Sequence, residues 1–204
     1  MKKRYKFLTL EQTSKLFKTI EKEGSIRDLA IFNIAYFFGL RASEIGLLKI
    51  GNISASKRSI YIPRVKRGLE YTQSLDDKRK KCLFKYLETR EDKYDIEAPL
   101  FISRKNQPIG RNMLYQLMKS YARKARLPEW ISDSSKSDSY KNSGFHVLRH
   151  SIAVHLLEAE LSIDYIQARL GHVNINNTME YISLTDKVHA NHHRKIMQKQ
   201  HCFA

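Results

Sequence analysis

Six side chains in this sequence combine into one kind of chemistry. His146-Val147-Leu148-Arg149-His150-Ser151 opens a helical stretch after a polar loop, Leu170-Gly171-His172 closes the next, and Tyr181 lies nine residues beyond His172. Far upstream, Gly39-Leu40-Arg41-Ala42-Ser43-Glu44 sits at a break between two helical patterns, and Lys66 lies at the tip of an expected hairpin. Arg41, Lys66, His146, Arg149, His172 and Tyr181 bring three fixed cations, two imidazoles and a phenol, without a cluster of acids. That set suits phosphoryl transfer at a phosphodiester without a metal.

The reason is where charge develops. A phosphorane transition state concentrates negative charge on its non-bridging oxygens, and two guanidinium forks can meet those oxygens bidentately while staying charged at any working pH. Preorganised donors of this kind supply the stabilisation that a metal ion would otherwise give. A tyrosine hydroxyl, with a reference pKa of about 10, needs help to become a nucleophile. Nearby positive charge is expected to lower that value, and a histidine to take the proton. The departing oxygen needs a proton in turn, which a lysine ammonium on a mobile hairpin can deliver.

The elements that must position these groups are mostly helical. Thr9-Leu10-Glu11-Gln12 fits a capping box, and Leu16, Phe17 and Ile20 behind it share one helical face until Gly24. A second helix, about Ile26 to Phe38, is apolar nearly all round, as a central buried element is. Gly39 ends it, and Ala42 to Leu48 begins another short helix. The period then changes: Ile60 and Ile62 alternate with Tyr61, and Tyr71 to Leu75 alternates across Arg67-Gly68, which predicts a β-hairpin with a basic tip. Helical spacing returns over 77 to 89 and 111 to 126, with a short strand expected at Pro99 to Ser103 between them. Residues 127 to 144 read as a surface loop, and helices follow near 146 to 160, 162 to 170 and 176 to 188. The expected fold class is α+β, mainly α-helical with a small antiparallel β-sheet.

Composition points to the partner. The 204 residues carry 37 lysines and arginines against 21 acids, a formal charge of +16 and a polyanion binder's balance, with nucleic acid ahead of an anionic membrane. A hydrophobic content of 42% is too high for a disordered basic tail. The longest apolar stretch, Leu29 to Leu40, is interrupted by Asn33 and falls short of the roughly 20 residues a membrane span needs. No signal-peptide pattern follows the basic start, and Cys82 and Cys202 stand in unrelated contexts, so neither a disulfide framework nor a cysteine zinc site is supported. A reduced, cytoplasmic location is expected.

With these residues in this order and at these intervals, the chain resembles the tyrosine recombinase (phage integrase) family over nearly its whole length, and in size and layout the short fimbrial phase-variation invertases. The resemblance implies a site-specific recombinase that cuts and rejoins DNA through a 3′-phosphotyrosyl link, for inversion, excision or integration, with no cofactor, ATP or metal. Arg41 and Arg149 would clamp the scissile phosphate, Lys66 would protonate the leaving 5′-oxygen, and His146 would assist proton transfer. His172 would hydrogen-bond a phosphate oxygen and Tyr181 would attack. Longer members carry a core-binding domain ahead of the catalytic one; here Thr9 already caps the first catalytic helix, so residues 1–204 are expected to form a single catalytic domain. The implied partners are double-stranded DNA with specific sites, accessory DNA-bending proteins, and copies of the chain: a homotetramer on DNA, a monomer or dimer off it. The tail 182–204, with Leu184, Val188, Ile196, Met197 and Phe203, would be exchanged between protomers. The alternatives are a non-catalytic DNA-binding regulator or accessory factor on the same fold, and the integrase of a mobile element.

The remaining candidates read more plainly. Arg64 and Arg67 flank Lys66 and, with Arg123, Lys124 and Arg126, are expected to touch DNA phosphates. Glu44 braces the site through Arg41 or a helix end. His150 and His155 read as packing or structural hydrogen-bond residues. His189, His192 and His193 have metal-like spacing but no fourth ligand, so no metal site is expected.

Overall fold

The computed structural model describes residues 6–54, 56, 58–63, 71–132 and 144–185. The first helix, α1 (Leu10–Glu23), starts where expected. The Thr9 hydroxyl accepts from the Gln12 amide, and the Gln12 side chain accepts from the Thr9 amide, closing the capping box. Its apolar stripe, Leu16 and Ile20, is fully buried.

Helix α2 (Ile26–Phe37) is the central element, with Ile31, Phe32, Ile34 and Ala35 buried on successive faces. It ends in a Schellman closure: Gly39, at φ +59°, donates to the Tyr36 carbonyl, and Leu40 reaches back to Ala35. The short α3 (Ala42–Ile45) follows, less extended than the sequence pattern suggests. The chain leaves the helix because Leu48 and Lys49 pair with the segment around Pro99, the Leu48 carbonyl accepting from Leu100 at 2.7 Å.

Three short strands form an antiparallel sheet in the order β1 (Ile53–Ser54), β2 (Ser59–Ile62), β3 (Tyr71–Ser74). The predicted hairpin is β2 with β3, in the register Ile60↔Gln73 and Ile62↔Tyr71, and Ile60 and Ile62 are fully buried. Strand β1 is too short to show a period in the sequence. The tip of the β2–β3 hairpin, with Arg64, Lys66 and Arg67, lies outside the described residues. The strand expected at Pro99 to Ser103 is instead two single bridges, Lys49↔Pro99 and Ile102↔Pro108, because its neighbours lie on different segments. Leu100 and Phe101 there are core residues.

Helices α4 (Asp77–Leu87) and α5 (Arg111–Lys124) pack against α2 and α1 respectively. The expected loop from 127 begins with a helix, α6 (Glu129–Ser132), whose Ile131 is fully buried and which packs on α5. Leu127 and Ile131, four apart across Pro128, give that segment an apolar face that its polar continuation hides.

Helix α7 (His146–Glu158) is buried on nearly every face. It holds the entry of the chain: the Leu8 amide donates to Ser151 at 2.8 Å, and His155 Nε2 donates to the Leu8 carbonyl at 2.9 Å. His155 Nδ1 is then free of a proton and accepts from the Tyr36 hydroxyl at 2.7 Å. Helix α8 (Ile163–Leu170) follows, then α9 (Asn176–Met179) and a 3₁₀ turn, Ile182–Leu184. The single helix expected from 176 to 188 is thus broken at Tyr181. Ile152, Ala153, Val154, Leu157, Ile166, Leu170 and Tyr181 form a second, smaller apolar cluster.

Candidate active site

The site forms where the carboxyl ends of α2 and α8 meet the amino end of α7. Gly171, at φ +64°, closes α8 as Gly39 closes α2: it donates to the Ala168 carbonyl, and His172 donates to Gln167. Two helix ends therefore present outward-turned carbonyls to the same place. Arg149 fills it. One guanidinium nitrogen donates to the Gly39 carbonyl and the other to the Leu170 carbonyl, the latter at 2.8 Å. The cation sits at the negative ends of two helix dipoles, a favourable place for a charge only 3% exposed.

Glu44, with no exposed side-chain surface, provides the counter-charge. Its Oε1 accepts from the Arg41 guanidinium at 2.7 Å, its Oε2 accepts from the Arg41 backbone amide at 2.8 Å, and its Oε2 stands 3.9 Å from Arg149. One carboxylate thereby caps α3 and orients two guanidiniums. Arg41 keeps about a third of its side chain in solvent, 31%. Its fork retains access to an incoming anion.

Tyr181 is 3% exposed. Its hydroxyl lies 2.8 Å from His150 Nδ1, and its ring is nearly parallel to that of His172, at 5° and 6.4 Å between centroids. His172 Nδ1 is tied to the Thr178 hydroxyl at 2.9 Å. His146 stands one helical turn before His150, the rings stacked at 6.2 Å. The expectation that positive charge lowers the Tyr181 pKa is corrected here. Burial pushes the phenol above the usual tyrosine value, and Arg149 and Arg41, which pull the other way, do not offset it.

The structure brings Arg41, Glu44, His146, Arg149, His172 and Tyr181 into this one region. Lys66, Arg64 and Arg67 lie outside the described residues, as do His189, His192 and His193. Arg123, Lys124 and Arg126 stand exposed at the end of α5, away from these contacts, with Lys124 3.3 Å from Glu23. Among the described residues no group of three or more metal-ligand side chains occurs, and no helix is long and apolar enough to cross a membrane.

Three parts of the site escape the sequence reading. The carbonyls of Gly39 and Leu170 carry no side-chain signal. Thr178, six residues from His172, follows no helical spacing. His150 is legible in principle, since it is four residues from His146 and so on the same helical face. Behind Arg149, Arg169 donates twice to the Phe37 carbonyl, and Gln73 of β3 donates to the Arg169 carbonyl at 3.1 Å, pinning the sheet to α8.

Comparison with known proteins finds chains similar to this one. The sequence model of the phage integrase family matches residues 6–188. The chain is 30% identical over 181 residues to the type 1 fimbriae regulatory protein FimB of Escherichia coli K12, covering 88% of this chain and 84% of that one. It is 32% identical over 186 residues to the tyrosine recombinase XerA of Pyrococcus furiosus, covering 89% of this chain but 58% of the relative. Among solved structures, the XerH site-specific recombinase bound to a palindromic difH substrate, in a post-cleavage complex, has the same fold (TM-score 0.75, 24% identity, 96% of this chain and 54% of that one). So does XerA recombinase (TM-score 0.71, 23% identity, 96% and 62%).

Proposed function

This chain belongs to the phage integrase family, the tyrosine recombinases, and we propose that it is a site-specific DNA recombinase acting through a 3′-phosphotyrosyl intermediate, most like a DNA invertase controlling phase variation. The observation that carries this reading is the meeting of Arg41 and Arg149 at one buried carboxylate, Glu44, with the buried Tyr181 near both guanidiniums. Arg41 and Arg149 bind the scissile phosphate through its non-bridging oxygens. Tyr181 attacks phosphorus, and Lys66 gives a proton to the departing 5′-oxygen. His172, its Nδ1 occupied by Thr178, offers Nε2 to a phosphate oxygen, and His146 assists proton transfer.

The link to tyrosine stores the energy of the broken bond, so religation to a partner strand needs no ATP. The groups present supply positive charge and hydrogen-bond donors, which is what the transition state requires, so no metal or cofactor is called for. Basic residues Arg64, Arg67, Arg123, Lys124 and Arg126 contact phosphates away from the scissile one.

Exchange between two duplexes takes four cleavages, and each protomer has one nucleophile, so the working unit is a tetramer on two sites. We assign residues 1–204 to one catalytic domain; of the tail 182–204, Ile182 and Leu184 pack on this chain's own α7 cluster, so the part assigned to a neighbour begins beyond Thr185. What supports that assignment is the row of exposed apolar side chains Val173, Ile175 and Met179 beside Tyr181, the surface an apolar tail needs. A plasmid carrying two copies of the cognate site in inverted orientation tests the function. Inversion of the intervening segment is expected from the wild type and none from Tyr181→Phe; a protein that binds the sites and never inverts or excises the segment would be a regulator instead.

A further inference from the structure

The Tyr181 hydroxyl must lose a proton to become a nucleophile, and burial holds its pKa above the ordinary value. Prior ionisation is therefore unfavourable, and the proton has to leave as the oxygen attacks. The ring nitrogen on that hydroxyl belongs to His150: Nδ1 lies 2.8 Å away. His150 is 6% exposed, so no bulk water surrounds the pair. Arg149, the next residue back, brings fixed positive charge toward the Tyr181 oxygen. A guanidinium can only donate, so of these two neighbours Nδ1 is the one that can take the hydroxyl proton. The arriving phosphate then adds negative charge beside the ring, compensating the imidazolium that forms.

We propose that His150, through Nδ1, takes the hydroxyl proton of Tyr181 as the phenolic oxygen attacks phosphorus, and returns it at religation. This rests on the reading of Tyr181 as nucleophile. In cleavage the Oη–P bond forms, the P–O5′ bond breaks, the phenolic proton passes to Nδ1, and the 5′-oxygen takes a separate proton from Lys66. In religation the 5′-hydroxyl attacks, its proton returns to Lys66, and the departing phenolate recovers its proton from His150. His146, stacked behind His150 on the same helical face, lies second in this row of rings.

The test uses the full chain and a nicked suicide duplex carrying the cognate site. His150→Asn keeps an oxygen acceptor near the Nδ1 position but cannot hold a proton at neutral pH. It is expected to bind DNA as the wild type does and to cleave about 100-fold more slowly, the range of a lost general base. Fluorotyrosine incorporated at position 181, a more acidic phenol, is expected to narrow that gap. A His150→Asn enzyme that cleaves at the wild-type rate or faster overturns the proposal and makes the contact a resting latch. A slow variant whose gap fluorotyrosine leaves unchanged also overturns it, as a packing effect. Imidazole ¹⁵N spectra of the DNA-free wild type decide independently of any variant: Nδ1 of His150 is expected to be unprotonated, and a proton resident there overturns the proposal. If the wild type forms no adduct at all, the function proposed above fails, and this inference with it.

Discussion

Glu44 stands 3.9 Å from Arg149 while its other oxygen holds Arg41 at 2.7 Å, so one buried carboxylate compensates both arginines of the site. An ion pair taken out of water gains little net stability, but removing one partner strands the other. Glu44→Gln keeps the shape and one acceptor while leaving two cations facing each other. Denaturant unfolding is expected to show a loss of about 3 kcal/mol. DNA cleavage should fall further than folding alone explains, because Arg41 loses its orientation. A variant with unchanged midpoint would show that Glu44 has no such role.

Gly39 offers a sharper separation of folding from function. A Cβ there would stand 2.5 Å from Leu170 Cδ2, on a backbone at φ +59°. Gly39→Ala is expected to cost about 1–2 kcal/mol in left-handed backbone strain, with more from the contact. It also tilts the carbonyl that holds Arg149, so cleavage should drop while DNA binding is largely kept. Gly110→Ala, where the added Cβ meets nothing within 4 Å, is the control: it should cost only what a poorer N-cap of α5 costs, about 0.5–1 kcal/mol, and leave cleavage unchanged.

His155 makes stability depend on pH. Burial pushes its pKa below the ordinary histidine value, between the Tyr36 hydroxyl and the Leu8 carbonyl. The unfolded chain then binds the proton more readily than the folded one. Its contribution is complete above about pH 6.5, the unfolded value, and is lost as pH falls from there toward the folded value. The Tm of the wild type is expected to fall between about pH 7.5 and about pH 5.5 more steeply than that of His155→Gln, which cannot charge. Equal slopes would mean that the imidazole titrates alike in both states.

Much of this was legible in the residues, and the gaps have physical causes. Thr9 with Gln12 announces α1, and Gly39 and Gly171 announce two helix ends, because capping chemistry is local. The β2–β3 pairing follows from the alternation of Ile60 and Ile62. Helix α7 is different. Its faces are nearly all buried, so periodicity separates no site-facing side from a core-facing one, and His150 among apolar neighbours looks like packing. The anchors of Arg149 are backbone carbonyls brought together only by tertiary folding. The Tyr181 pKa goes opposite to expectation because the count of nearby arginines is visible in the sequence and the degree of burial is not. Leu127 and Ile131 were lost in the polar run that follows them.

The most direct measurement is a covalent trap. Incubate the protein with a nicked suicide duplex bearing its cognate site, in EDTA, then digest the adduct and locate the modified peptide by mass spectrometry. The account predicts a 3′-phosphotyrosyl link on Tyr181, formed without added metal and absent from Tyr181→Phe. An adduct on any other residue, or one that persists in Tyr181→Phe, or cleavage that requires magnesium on a short linear duplex, would contradict it.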